Sequence, residues 1–193
     1  FYSRRIGREP QGDAPDDADF TDIPTNTTIL GAAKVSGRTE GGLSIGALGA
    51  VTQEEKGEAF FSDTQEQRDF LVEPRSGYGV LRLQQDFNGG ASTVGGIFTG
   101  MRRDLPADGT FDFLSTEAFS TGVDFEHTWG NREWAFHGFL AGSHVRGDST
   151  AIIRLQRASN HYFHRPDARY VEMDSTATAL TGAEWRLQLD KRS

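Results

Sequence analysis

The connections between the predicted strands of this 193-residue chain alternate in length. Short turns are predicted at 39–42, 88–91 and 130–131, and long connections at about 54–76, 104–117 and 148–168. In an antiparallel meander this alternation puts every short turn at one end of the sheet, as in bacterial transmembrane barrels. A β-sandwich has no physical reason to place its short connections in this way. The alternation therefore favours a membrane barrel over a soluble sandwich.

Seven predicted strands carry this pattern, and along each of them apolar and polar side chains alternate. They are predicted at about 28–38, 43–53, 77–87, 92–103, 118–129, 132–147 and 169–190. Most are longer than the roughly five to six residues usual in globular proteins and near the length of a tilted membrane crossing. Residues 1–27 are predicted to be irregular. Ser149 is predicted to cap a short helix that Pro166 ends.

The hairpin predicted at 118–147, with its turn at Gly130 and Asn131, shows the alternation most clearly. Its apolar side chains fall on one face and are expected to face lipid: Phe119, Val123, Phe125, Trp134, Phe136 and Leu140. Trp129 and Trp134 flank the turn, where an aromatic girdle would lie. The three tryptophans, Trp185 included, could instead stack on sugar rings.

The opposite face is polar and supplies the candidate binding residues. They are predicted to line a barrel lumen: Arg82, Gln84, Asp86, Asp124 and Glu126. Asp124 and Glu126 lie two residues apart on one strand face, and paired carboxylates serve glycoside hydrolysis. An envelope glycan hydrolase using these two carboxylates is therefore an alternative hypothesis. Such a pair usually comes from different elements around a cleft, so we expect a lining role and no catalysis.

The segment HYFHRPD offers a candidate metal site, because His161, His164 and Asp167 stand close together in sequence. Two histidines three residues apart can share a helical face and bind a divalent cation. Arg165 beside them is unfavourable for a cation, so neither a metal nor a cofactor is predicted.

Composition excludes several classes of function. The formal net charge of −8 argues against a nucleic-acid binder, which needs a basic surface to meet phosphates. The chain has no cysteine, which rules out disulfides and thiolate metal sites. No apolar run approaches the roughly 18 to 20 residues of a membrane-spanning helix.

These patterns predict an all-β chain, an antiparallel up-and-down meander forming residues 1–193 of an outer-membrane β-barrel or a portion of one. Seven strands do not close a bacterial barrel, which has an even number from eight upward. Either a strand lies unrecognised near Phe60 to Val72, or the remaining strands belong to the rest of the polypeptide, which we favour. A soluble β-sandwich that binds a partner is the second alternative.

Several segments are similar in amino-acid sequence to one protein family. FYSRRIGREPQG, ILGAAKVSG, LQQDFNGG followed by GGIFTGMRRDL, FLAGSHVRGD, and LQRASNHYFHRPDA resemble the DUF5916 family. The resemblance implies a membrane-associated, barrel-like domain of the bacterial envelope, with no catalytic residues to carry over. Typical members place it after a module resembling family 9 carbohydrate-binding modules, which these residues do not include.

The resemblance therefore implies one portion of a longer polypeptide in the bacterial outer membrane. Its expected partners are the lipid bilayer, the rest of the same polypeptide, and either a carbohydrate or another envelope protein. The predicted function is binding or admitting a solute.

Overall fold

A computed structural model describes residues 6–159, 163, 165, 167–168 and 170–192. The described chain is all-β and antiparallel, with one short α-helix, as predicted. Its elements are β1 (Phe20–Asp22), β2 (Ile29–Arg38), β3 (Leu43–Thr52), β4 (Glu55–Phe61), β5 (Glu66–Glu73), β6 (Ser76–Phe87), β7 (Ser92–Arg103), β8 (Ser115–Trp129), β9 (Trp134–Gly147), α1 (Ser149–Arg157) and β10 (Ala179–Lys191).

Seven of these strands form one sheet in the order β10-β9-β8-β7-β6-β3-β2. Each strand pairs antiparallel with its neighbour, so the predicted meander is confirmed. The short turns at 39–42, 88–91 and 130–133 all lie at one end, and the long connections all lie at the other. Within the described residues β2 and β10 pair on one side only, so the sheet is open rather than closed.

The long connection predicted at 54–76 is not an irregular loop. It contains β4 and β5, which form a separate three-stranded sheet with β1. β1 also interrupts the segment 1–27 that was predicted to be irregular. The unrecognised strands near Phe60 to Val72 therefore exist, but they do not join the seven-stranded sheet.

Four predicted boundaries were wrong. The turn between β8 and β9 spans four residues, because Trp129 and Trp134 are directly paired. The cap of α1 is Asp148 rather than Ser149, and the helix ends at Arg157, well before Pro166. The backbone N–H of Thr150 donates to Asp148 Oδ1 over 2.8 Å and lowers the pKa of that carboxyl. The last strand begins at Ala179 instead of 169.

One face of the seven-stranded sheet, here called the apolar face, carries most of the exposed large hydrophobic side chains. It is defined by Val35, Ile45, Leu81, Leu83, Val94, Phe98, Phe119, Val123, Phe125, Trp129, Trp134, Phe136, Leu140, Trp185, Leu187 and Leu189. Val123 is 57% exposed and Leu140 is 55% exposed, so neither the small sheet nor α1 covers the centre of this face.

The buried core lies instead at the end of the sheet where the long connections meet, in a layer here called the cap. The cap consists of β1, β4, β5, α1 and residues 6–19 and 104–114. Its fully buried side chains include Val72, Phe111, Ile152 and Gln156. The Gln156 amide donates to Asp174 O and accepts from Asp174 N, both over 2.8 Å. The cap therefore packs like a small soluble domain, whereas the sheet leaves its apolar face bare.

Candidate functional site

The five residues predicted to share one face do so. The face opposite the apolar face, here called the polar face, is defined by Lys34, Arg38, Arg82, Gln84, Asp86, Asp124, Glu126, His137, Glu184, Arg186, Gln188 and Asp190. The register places Gln84, Gly95 and Asp124 in one cross-strand row, and Asp86, Thr93 and Glu126 in the next. Several of these side chains are hydrogen-bonded to one another along and across the strands.

Arg82 and Asp124 form the central ion pair of this network. The guanidinium donates through both terminal nitrogens, with Nη2 lying 2.8 Å from Asp124 Oδ1. One strand, β7, separates the partners, and Arg82 crosses it above Gly95. A Cβ atom at Gly95 would lie 2.5 Å from Arg82 Nη2, so only glycine leaves room for this crossing. Because both oxygens of Asp124 are engaged, this carboxylate is better suited to lining the face than to attacking a sugar.

A ladder of hydrogen bonds extends from Arg82 along β6. Arg82 Nη2 donates to Gln84 Oε1 over 3.2 Å, and Gln84 Nε2 donates to Asp86 Oδ1 over 3.4 Å. Arg38 on β2 donates to Asp86 Oδ2 over 2.6 Å. All three predicted residues of β6 are therefore tied together.

β10 carries a second ladder of the same composition. Arg186 donates to Gln188, and Gln188 Nε2 donates to Asp190 Oδ1 over 2.8 Å. The two strands share the sequence pattern Arg-Leu-Gln-x-Asp, at 82–86 and 186–190. The repeat was not predicted, although the pattern is visible in the sequence at both positions.

Between the two ladders lies an open groove of about 500 Å³ on the polar face. Glu126 lies in this groove and accepts from Arg192 Nη2 over 3.4 Å. His137 Nδ1 lies 3.6 Å from Asp190 Oδ2. Phe139 contributes an aromatic ring among these charges. The groove thus combines hydrogen-bond donors and acceptors with an aromatic ring. Nothing in the sequence pattern singles out Phe139.

Two of the weak metal candidates, His161 and His164, lie outside the described residues. Asp167 accepts from Arg165 Nη2 over 2.8 Å. Within the part of the chain that the structure describes, no group of three or more His, Asp or Glu side chains is arranged to hold a metal ion. Nor does any described helix have the length and hydropathy needed to cross a bilayer.

The tryptophans occupy two different positions on the apolar face. Trp129 and Trp134 stack beside the short turn with ring centroids 6.3 Å apart, and Lys191 lies 5.4 Å from the Trp134 ring. Trp185 pairs with Leu140 in the middle of the strands. None of the three belongs to the polar face, so the groove does not use them.

Gly95→Ala is expected to displace Arg82 from Asp124 and to lower the free energy of unfolding by about 1 kcal/mol, the upper range for a partly exposed ion pair. Gly96→Ala is the matched control, because a Cβ there would come no closer than 3.8 Å to Gly122 O. Urea unfolding measures both variants. In an Arg82→Ala background the Gly95→Ala penalty should disappear; a penalty that persists would contradict the crossing.

Comparison with known proteins gives one match. A family profile described as a domain of unknown function, DUF5916, matches residues 1–175. No curated protein and no solved structure matches the chain. The profile covers most of the seven-stranded sheet and the cap, so the chain belongs to the DUF5916 family.

Proposed function

We propose that the seven-stranded sheet is part of the wall of a bacterial outer-membrane β-barrel. Its apolar face would contact lipid, and its polar face would line a path or binding surface for a solute. The observation that carries the proposal is the bare apolar face, whose central residues are more than half exposed. Monomeric soluble proteins rarely leave so large an apolar patch uncovered.

The charges on the apolar face support a membrane environment. Among the described residues of this face, charged side chains occur only at the ends of the strands: Arg102, Glu117 and Arg146 beside the cap, and Lys191 beside the short turns. On β8 the side chains that belong to the apolar face are uncharged from Phe119 to Trp129. At about 3.3 Å per residue it is about 33 Å long, and a tilt of about 35–45° reduces its height to about 25 Å. That is the height of the apolar band of outer-membrane barrels.

The edges of the sheet indicate what else the barrel needs. In a meander of seven strands the first and the last run in the same direction, so β2 and β10 are parallel to each other. Antiparallel closure therefore requires an odd number of further strands, which we assign to the rest of the polypeptide. Unpaired edges in lipid would cost several kcal/mol for each exposed backbone group. Arg186 on the edge strand β10 repeats the position of Arg82, which on β6 pairs with a carboxylate two strands away.

The groove between the ladders is the proposed solute surface. It combines carboxylates, a guanidinium, an imidazole and the ring of Phe139 within about 500 Å³. A solute rich in hydroxyl groups fits this chemistry, because each hydroxyl both donates and accepts a hydrogen bond. A carbohydrate is the solute that we propose. The short turns would face the periplasm and the cap the exterior, following the loop asymmetry of such barrels.

Spin labels on single cysteines test the orientation of the two faces, and the absence of native cysteine makes labelling unambiguous. In lipid vesicles, a label at Val123→Cys is expected to collide with dissolved oxygen and to be shielded from a water-soluble nickel complex. A label at Ala141→Cys, on the polar face beside Glu184, should show the opposite preference. Equal access of the nickel complex to both labels, in a protein that stays monodisperse without detergent, would support the soluble alternative and overturn the proposal.

A further inference from the structure

A second cavity lies on the polar face next to the cap, away from the groove. Its volume is about 430 Å³. The floor consists of two cross-strand rows: Tyr78, Met101, Ala118 and Val145 in one, and Val80, Thr99, Ser120 and Ser143 in the other. At this end the polar face has therefore become mostly apolar.

The N-terminal segment forms one side of the cavity, through Ile6 and Arg8. Arg8 O accepts from Thr27 N over 2.9 Å and from Thr27 Oγ1 over 2.7 Å. Four residues further on, Gly12 N donates to Val72 O over 2.7 Å. The segment is thus held at two points, by Thr27 and by Val72 on β5, which fixes this side of the cavity.

Arg103 supplies a cationic group at the wall of the cavity. Its Nη1 donates to Ser115 O over 2.8 Å, but its Nε is buried without a hydrogen-bond partner. The nearby carboxylate of Glu73 is 2% exposed and accepts from Gln11 N and Nε2 over 3.0 and 3.2 Å. Arg8 and Arg103 both line the cavity, and no carboxylate is among its described lining residues. A chain with a net charge of −8 thus has a locally positive, largely apolar cavity.

We propose that this cavity binds a small carboxylate with an apolar body. The carboxylate would accept hydrogen bonds from Arg103, and the positive charge of Arg8 would attract it. The apolar body would lie along Tyr78, Met101 and Val145. Hydrogen bonds from a guanidinium to a carboxylate are charge-assisted, and they are about twice as strong as those between neutral groups. The inference does not depend on the proposed function, because the cavity is the same whether lipid or water covers the apolar face.

Methionine methyl groups offer a direct test, since the chain has two methionines, one in the cavity and one outside it. The full polypeptide is labelled with [13C-methyl]methionine, in lipid nanodiscs or, if it stays monodisperse without detergent, in buffer. It is titrated with 4-phenylbutyrate, which is ionised at pH 7. We expect the Met101 signal to shift and saturate while the Met173 signal stays in place. Loss of each signal in Met101→Leu and Met173→Leu assigns them.

The uncharged amide of the same acid is the control ligand. We expect it to bind about tenfold more weakly, the effect of losing one charge-assisted hydrogen bond. Arg103→Met should reduce the affinity for the acid to that for the amide and leave the amide unaffected. Arg103→Lys should retain part of the preference. If Arg103→Met does not fold, Arg8→Gln at the exposed position should still weaken the acid selectively. Equal binding of acid and amide, or equal shifts of both methionine signals, would overturn the proposal.

Discussion

Val123→Arg is expected to destabilise the protein in lipid by about 2–4 kcal/mol, the cost of a cationic side chain near the middle of the lipid-facing side of a barrel. Val123 lies in the centre of the apolar face, opposite Leu140 on β9. An Arg there must either leave its charge in hydrocarbon or bend its side chain towards the headgroups. Leu140→Arg should have a similar effect. Urea unfolding in phospholipid vesicles measures both variants.

Ala141→Arg is the matched control for this substitution. Ala141 follows Leu140 on β9 and lies on the polar face, where it pairs with Glu184. In the proposed orientation its side chain meets water, so the change should stay within about 0.5 kcal/mol, as surface substitutions usually do. In a soluble protein Val123 would also meet water, since it is 57% exposed. A Val123→Arg variant as stable as Ala141→Arg would therefore contradict the lipid-facing assignment.

Gly138→Ala is expected to cost about 1–3 kcal/mol, the usual range for overpacking a tight site. A Cβ atom at Gly138 would collide with Arg186 O, lie 2.7 Å from Leu187 Cδ2 and lie 3.2 Å from Phe125 Cε1. The carbonyl belongs to the backbone of β10 and cannot rotate away, so β9 and β10 would have to separate. Urea unfolding measures the loss, and faster amide exchange at Leu187 and Leu189 would locate it.

Gly142→Ala controls for the general effect of replacing a strand glycine. It lies four residues along β9 on the same face and pairs with the same strand, but its nearest neighbour would be Gly182 O at 3.8 Å. Alanine there should be neutral or stabilising by up to about 1 kcal/mol, because it restricts the unfolded chain. If both variants lose the same stability, the contact with Arg186 is not the cause.

The large sheet was predictable because its strands alternate apolar and polar side chains over ten or more residues. β3, β6 and β7 begin and end within one residue of their predicted bounds. The small sheet was not predictable in this way. The inward positions of β4 are Glu55, Gly57 and Ala59, so burial there follows no apolar pattern.

The turn between β8 and β9 shows a second limit. Asn131 and Arg132 both have positive φ, at 58° and 69°. An asparagine adopts this backbone conformation readily, but an arginine rarely does. Because residue 132 is an arginine, it was predicted to begin a strand. The sequence therefore suggested a turn of two residues where the structure has four.

For the candidate site, the sequence predicts which side chains share a face of the sheet but not which of them are in contact. Alternation alone places Arg82, Asp124 and Glu126 on one side of a sheet. Which side chains touch depends on the register between strands, which decides that Gly95 lies beneath Arg82 and that Arg38 reaches Asp86. The cavity next to the cap was missed because residues 6–8 contribute to it from far away in the sequence.

The position of the core in the cap has a consequence for the order of folding. The sheet is a chain of neighbouring hairpins, so its contacts are local in sequence and can form one after another. The cap joins distant residues: Gly12 N bonds to Val72 O, and a Cβ at Gly12 would lie 3.0 Å from Phe111. α1 follows later still, with Ala151 beside Gly147. The contacts of the cap can therefore be completed only after most of the strands have formed. Formation of the cap is then a late, cooperative step that holds the hairpins together at one end of the sheet.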